Sequence, residues 1–156
     1  MKRVLAAALG VIASVTVLTA CSDDSGSSSS GSPTVATGGN TEVKVDGGDL
    51  AGLDLNSVSC VKQAGKINIG SGSIGGQQGL GVVMTDEATP KVESLGLVVD
   101  GSALAVSNMM GTSVGSAEVK VDGDTYTITG EASGADLKNP MAGMISKPFT
   151  ITVTCS

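Results

Sequence analysis

The feature of this chain that most constrains its fold is the alternation of apolar and polar residues through residues 42–156. Apolar side chains at every second position lie on one face of a β-strand, whereas a helix requires spacings of three and four residues. The alternation begins at Val43 and Val45 and recurs at 67–69, 80–84, 95–99, 104–106, 117–121, 126–128 and 149–153. About eight short strands of this kind predict an all-β antiparallel fold, either an Ig-like β-sandwich or a related barrel.

Several of the predicted strands are separated by Asp-Gly pairs, at Asp46-Gly47, Asp100-Gly101 and Asp122-Gly123. Both residue types tolerate the positive φ angles of tight hairpin turns, so we expect hairpins at these points. The segment 134–140 has room for one helical turn, which Pro140 would end.

The N-terminus has the three parts of a bacterial export signal. Lys2 and Arg3 form a short basic region, and an apolar run extends from Val4 to Leu18. The run is shorter than the ~20 residues of a membrane-spanning helix and is typical of a signal peptide. Leu18-Thr19-Ala20-Cys21 resembles the bacterial lipobox, which implies removal of residues 1–20 and attachment of acyl chains to Cys21. Two or three such chains would hold the mature protein on the membrane.

Residues 21–41 are expected to form the lipidated cysteine and a flexible linker. The stretch from Ser22 to Asn40 is rich in Ser, Gly and Thr and has few large apolar side chains, so burial cannot offset the entropy of ordering it. The domain itself is expected to span residues 42–156. Hydroxyl side chains of the linker region are candidate acceptors of O-linked sugar, among them Thr34, Thr37 and Thr41.

With Cys21 assigned to lipid, Cys60 and Cys155 remain as a pair. The compartment outside the cytoplasm is oxidising, so the two are predicted to form a disulfide. Cys155 shares strand parity with Ile151 and Val153, which directs its sulfur toward the core.

The composition excludes most enzyme mechanisms. The chain has no histidine, which removes the commonest general base and metal ligand. Loss of residues 1–20 would leave seven lysines, no arginine and fifteen acidic residues, a net charge of −8 that repels nucleic acid. We expect a non-enzymatic protein with no cofactor, no metal site and no nucleic-acid partner.

Two motifs with a binding use have simpler explanations. Gly70–Gly75 matches the dinucleotide pattern GxGxxG, but the residues after it lack the helix and parallel strands that such a site requires. Acidic pairs within 46–49, 86–87 and 122–124 fit turn chemistry better than calcium binding, since no EF-hand spacing is present.

Four methionines fall in expected loops rather than on the strand pattern: Met109, Met110, Met141 and Met144. Thioether side chains adapt to irregular apolar surroundings. These methionines either fill the core from its ends or contact an apolar ligand or partner.

Several segments together resemble the mycobacterial LpqH-type lipoprotein antigens: the lipobox, the spacer, Cys60 with Ala64–Gly70, Tyr126–Gly130, Asp136–Met141 and Val153–Ser156. The resemblance covers anchor, linker and essentially the whole domain. It implies a cell-envelope lipoprotein, often glycosylated in the spacer, that host innate receptors sense through its acylated N-terminus and that has no established enzymatic activity. The chain departs from this pattern at Ala142–Ile145, an insertion before the last strand.

We therefore expect an exported, lipid-anchored protein on the extracytoplasmic face of the cell membrane or envelope. Its displayed domain would serve adhesion, host interaction or envelope organisation without catalysis. The alternative is a carrier that holds an apolar ligand or lipid near the methionine-rich loops.

Overall fold

A computed structural model describes residues 33–50, 53–72, 78–109 and 111–156. These residues contain eleven strands and one short 3₁₀ helix, and the paired strands run antiparallel. The strands are β1 (Thr34–Val45), β2 (Gly48–Asp49), β3 (Ser59–Gln63), β4 (Lys66–Ser71), β5 (Gly79–Thr85), β6 (Val92–Val99), β7 (Ser102–Met109), β8 (Thr112–Val114), β9 (Ser116–Asp122), β10 (Thr125–Asp136) and β11 (Met144–Cys155), and the 3₁₀ helix is Pro140–Ala142. The predicted all-β antiparallel class is confirmed.

The sheet closes on itself. Its strand order is β8-β7-β6-β5-β4-β3-β1-β11-β10-β9, and a further antiparallel pairing joins β7 to β10, with Ala103 opposite Ala135 and Ala105 opposite Ser133. Eight strands, β1, β3 to β7, β10 and β11, therefore form a ring around one core. This arrangement corresponds to the barrel form of the expected fold, with β2, β8 and β9 outside the ring.

The core of the ring consists of the alternating apolar residues that the sequence pattern singled out. The buried members are Val43, Val45, Ile67, Ile69, Leu80, Val82, Met84, Leu95, Leu97, Val99, Leu104, Val106, Tyr126, Ile128, Phe149, Ile151 and Val153. Strand β9 differs, because Ala117 and Val119 are only partly buried and Val121 is exposed. Since β9 pairs with β10 alone, one side of it lacks the neighbours that would cover these residues.

Tight turns connect neighbouring strands as the Asp-Gly pairs predict, with one shift. Asp46-Gly47 and Asp100-Gly101 have positive φ at both residues, as a type I′ hairpin turn requires. Ala64-Gly65 makes the same turn between β3 and β4. At the third predicted turn the two loop residues are Gly123-Asp124, one position later than expected, because Asp122 is still paired with β10.

Strand β1 begins at Thr34, inside the stretch predicted to be a flexible linker up to residue 41. Residues Thr34–Thr37 pair with β3, and Thr41–Val45 pair with β11. The strand changes partner at Gly38, where a Cβ atom would lie 2.7 Å from a methyl carbon of Val58. Backbone pairing, first with β3 and then with β11, orders this segment, a contribution that its low apolar content does not reveal.

The predicted disulfide between Cys60 on β3 and Cys155 on β11 is present, with the two Cα atoms 5.7 Å apart. Ala36 of β1 pairs with Cys60, and Gly38 pairs with Cys155. Both cysteines are buried. The disulfide therefore joins the two neighbours of β1 at the point where β1 changes partner.

Two glycines of β10 permit its pairing with β9 and with β7, and the second of these pairings closes the ring. This strand pairs with β9 as far as Glu131 and with β7 from Ser133 onward. A Cβ atom at Gly130 would lie 2.0 Å from the Ser116 carbonyl oxygen, and one at Gly134 would lie 1.8 Å from that of Ala103. The main chains therefore approach more closely than any other residue would permit.

Replacement of Gly134 by alanine tests this closure. Gly134→Ala is expected to lower the free energy of unfolding by about 2–4 kcal/mol, because β7 and β10 must separate to admit the methyl group. Gly96→Ala is the matched control, since no atom lies within 4 Å of a Cβ at Gly96 on β6, and it should change stability by less than about 0.5 kcal/mol. Urea unfolding measures both, and equal midpoints for the two variants would contradict the closure argument.

The disulfide is expected to contribute about 2–5 kcal/mol to stability, mainly by restricting the unfolded chain. A Cys60→Ala/Cys155→Ala variant should therefore melt roughly 10 °C below the wild type. Dithiothreitol should lower the wild-type melting temperature toward that of the variant and leave the variant unchanged. A wild-type melting curve that is insensitive to reduction would show that the prediction is wrong.

Candidate functional site

The proposed lipid attachment site, Cys21, lies outside the described residues, as do the predicted signal peptide 1–20 and the linker up to residue 32. The described chain starts at Pro33 and enters the ring at Thr34. Thr34 pairs with Lys62, next to the turn Ala64-Gly65. We call this side of the ring the entry end.

The three threonines proposed as sugar acceptors all lie on strand β1 rather than in the linker. Thr34 and Thr37 are exposed, and Thr41 is partly buried. The Thr41 hydroxyl donates a hydrogen bond to the carbonyl of Gly39 at 3.5 Å. Glycosylation of Thr34 or Thr37 would therefore take place on a paired strand.

The described positions of these methionines lie at opposite ends of the ring. Met109 ends β7 opposite Thr112, close to Asn108, whose side-chain amide donates to the Val92 carbonyl near the entry end. Met110 lies outside the described residues. Met141 and Met144 lie at the other end of the ring, because antiparallel pairing carries β7 and β10 from one end to the other.

The end opposite the entry end carries an ordered apolar projection. We define the distal tip as Leu137, Met141 and Met144, whose side chains are 57%, 93% and 76% exposed. Sequence reasoning missed Leu137, since its segment was expected to form a helical turn closed by Pro140. Instead β10 continues to Asp136, and Pro140 begins the 3₁₀ helix, where its missing N–H is not needed.

Hydrogen bonds fix the backbone of the distal tip. The Leu137 N–H donates to the carbonyl of Gly101 at 2.7 Å, and the Lys138 N–H donates to Asp136 Oδ1 at 2.8 Å. The Ala142 N–H donates to the carbonyl of Asn139 at 3.0 Å. The tip thus presents its apolar side chains from a backbone that is held in place.

A groove of about 670 Å³ opens to solvent beside the distal tip. It is lined by Gln78, Gly79, Val98, Asp100, Gly101, Leu137 and Lys138. Within the described part of the chain, the buried Oε1 atom of Gln78 has no hydrogen-bond partner. The groove offers apolar contacts together with a carboxylate, an amide and an ammonium group.

Two of the acidic pairs that fit turn chemistry in the sequence also contribute a residue to an ion pair. Asp49 Oδ1 lies 3.9 Å from Lys44 Nζ, and Asp86 Oδ1 lies 3.9 Å from Lys62 Nζ. Among the residues that the structure describes, no group of three or more His, Cys, Asp or Glu side chains is placed to hold a metal ion. The glycine-rich motif that begins at Gly70 connects β4 to β5, which pair antiparallel.

Lys62 makes a charged contact with an aromatic ring at the entry end. Its Nζ lies 5.6 Å from the centre of the Tyr126 ring, and Asp86 and Asp124 are nearby. The Tyr126 hydroxyl contributes most to raising the pKa of Lys62 above 10.5, partial burial opposes it, and the two carboxylates add to the rise. The ammonium group therefore ties β3 to β10 beside the entry of the chain.

The described residues form a closed all-β domain, and the family that the chain matches is one of lipoproteins. The chain belongs to the Mycobacterium 19 kDa lipoprotein antigen family, whose pattern matches residues 34–155. A lipoprotein of Mycobacteroides abscessus is 68% identical over 155 residues, 99% of each chain. Lipoprotein LpqH of Mycobacterium tuberculosis is 41% identical over 126 residues, 80% of this chain and 74% of its own length. Lipoprotein LpqH of Mycobacterium avium is 39% identical over 119 residues, 74% of this chain and 68% of its own length.

Membership of this family implies a membrane-anchored envelope protein. In the described ranges, the structure has no helix of the length and hydropathy needed to cross a membrane. The names of the family and of these relatives describe lipoproteins and an antigen.

Substitution of Lys62 tests the contact with Tyr126. Lys62→Met keeps the aliphatic stem of the side chain. It is expected to lower the free energy of unfolding by about 0.5–1 kcal/mol at neutral pH, because it removes the contacts of a partly exposed ammonium group with the Tyr126 ring and the two carboxylates. Since the folded state raises the pKa of Lys62, its stabilisation is complete below about pH 10.5 and is lost as the pH rises through the folded value.

Thermal melts of wild type and Lys62→Met between pH 7 and 11 measure this difference, with Lys120→Met on the exposed face of β9 as the control. The melting temperature of Lys62→Met should lie below that of the wild type at pH 7, and this difference should become smaller at pH 11. A difference that grows with pH would refute the role of the charged ammonium. An equal loss of melting temperature in Lys120→Met at pH 7 would refute it too.

Proposed function

We propose that this protein is a non-catalytic domain displayed on the extracytoplasmic face of the cell envelope and held there by acyl chains on Cys21. The observation that carries the proposal is the lipobox Leu18-Thr19-Ala20-Cys21 directly after a signal peptide. Membership of a lipoprotein antigen family supports it. The chain enters the ring at one end only, through Thr34, so a single point of attachment leaves the rest of the domain surface free for contacts.

The displayed domain serves adhesion, host interaction or envelope organisation. Its acylated N-terminus is the part that host innate receptors would sense, and threonines such as Thr34 and Thr37 are exposed for glycosylation. The core is filled with aliphatic side chains, and the ring holds two aromatic residues, Tyr126 and Phe149. A filled core and the absence of histidine fit a structural or recognition role better than a catalytic one.

Carriage of an apolar ligand is the second candidate function. The observation that favours it is the groove beside the distal tip, where Val98 and Leu137 meet Asp100 and Lys138. Native mass spectrometry of the protein from envelope extracts separates the two functions. Co-purified lipid that is lost with Leu137→Ser would favour carriage, and a clean protein mass would favour display alone.

Replacement of Cys21 tests the anchor. Wild-type protein grown with an alkyne fatty acid should carry the label and partition into detergent, because two or three acyl chains bind the membrane firmly. Cys21→Ala should carry no label and should leave the membrane fraction. Ser22→Ala, which keeps the thiol, is the matched control and should label normally. Equal labelling of Cys21→Ala and wild type would refute the assignment.

A further inference from the structure

Most of the exposed large apolar side chains that the structure describes lie at one end of the domain. Among the described residues, five large hydrophobic side chains are exposed, and three of them form the distal tip: Leu137, Met141 and Met144. Single exposed apolar residues are common on the surfaces of soluble proteins, whereas a group of them on one projection indicates a binding site for a partner or a membrane. Hydrogen bonds from the Leu137 and Ala142 N–H groups fix the backbone of the projection, and its three apolar side chains are mostly exposed.

We propose that the distal tip inserts into an uncharged lipid surface that faces the membrane holding the anchor. The proposal rests on the proposed function in that it takes Cys21 as the attachment point. The protein would then bridge two lipid layers, one held by its acyl chains and the other touched by its apolar tip.

The shape of the tip favours lipid over a protein partner. Met141 is 93% exposed, so its side chain stands clear of the domain rather than lining a flat patch. Protein interfaces of standard size use about 20–30 residues from each side, and the tip offers three apolar ones. A lipid layer needs no complementary pocket and accepts flexible apolar side chains to a depth of about 5–10 Å.

The charges near the tip favour an uncharged surface. Lys138 is the basic residue of the groove, and Asp100 lies in the same groove. The Asp136 carboxylate accepts the Lys138 N–H, so a second acid lies beside the tip. The mature chain has an excess of acidic residues, so an anionic lipid layer would repel it.

The position of the tip favours a second lipid layer over the layer that carries the anchor. The tip lies at the start of β11. The end of β11, Cys155, pairs with Gly38, which is four residues after the point where the chain enters the ring. Twelve residues of β11 at about 3.3 Å each separate the two ends by nearly 40 Å. Thirteen residue steps separate Cys21 from Thr34 and span at most about 45 Å, so the tip can reach the anchoring layer only when those residues are almost fully extended.

Bridging of two vesicle populations tests the proposal. Lipidated wild-type protein is reconstituted in phosphatidylcholine vesicles, and protein-free phosphatidylcholine vesicles with a second dye are added. Two-colour fluorescence correlation should detect mixed pairs, in which a protein-bearing vesicle is bound to a protein-free one. The triple variant Leu137→Ser/Met141→Ser/Met144→Ser should lower the number of mixed pairs about tenfold or more, because the three side chains that insert into the second vesicle are lost. Val35→Ser/Val121→Ser, which removes the other two exposed apolar side chains, is the matched control and should bridge like the wild type.

Each result has one meaning when melting curves show that the variants are folded. Wild-type protein that floats with its own vesicles but forms no mixed pairs overturns the tip proposal and leaves the anchor intact. Protein that does not float with its vesicles overturns the anchor, and the bridge with it. Clustering of protein-bearing vesicles alone would assign the tip to a second copy of the chain, and stronger bridging to phosphatidylglycerol vesicles would overturn the choice of an uncharged surface.

Discussion

The double pairing of β10 is the constraint on which the rest of the structure depends. This strand pairs with β9 and then with β7, and Gly130 and Gly134 permit the close approach of main chains that both pairings require. Without the β7 contact the sheet would have open edges on both sides, and the aliphatic core would lose the strand that covers it. Closure also removes unpaired backbone edges from the strands of the ring, leaving them to β9 and to the short β2 and β8.

Much of the strand content follows from the sequence because alternation and burial coincide on a closed sheet. Every strand with two or more alternating aliphatic residues was recognisable, and only β9 carried the pattern without full burial. The start of β1 was not recognisable, since Thr34–Thr37 are ordered by backbone pairing and Gly38 by a close approach to Val58. Ring closure was equally hidden, because a glycine required by a neighbouring carbonyl cannot be distinguished in sequence from a glycine in open space such as Gly96.

The candidate sites also include features that the sequence predicts and features that only the folded structure shows. The cysteine count led to the Cys60–Cys155 pair, and strand parity placed the Cys155 sulfur toward the core. The methionines were grouped by residue type, and the topology separates Met109 from Met141 and Met144 by the length of the ring. Leu137 was overlooked for the converse reason: its neighbours suggested a helical turn, whereas pairing of Asp136 with Ser102 extends the strand and turns Leu137 outward.

The place where the chain enters the domain has a mechanical consequence. A force that pulls the domain away from its lipid anchor acts along β1, which is paired with β3 in its first part and with β11 in its second. Such a load shears rows of hydrogen bonds together rather than opening them one at a time. The bond between Cys60 and Cys155 ties those two neighbours to each other, so the load is shared by the strands on both sides of the attachment. A domain built in this way is suited to remain folded while a moving surface drags on it.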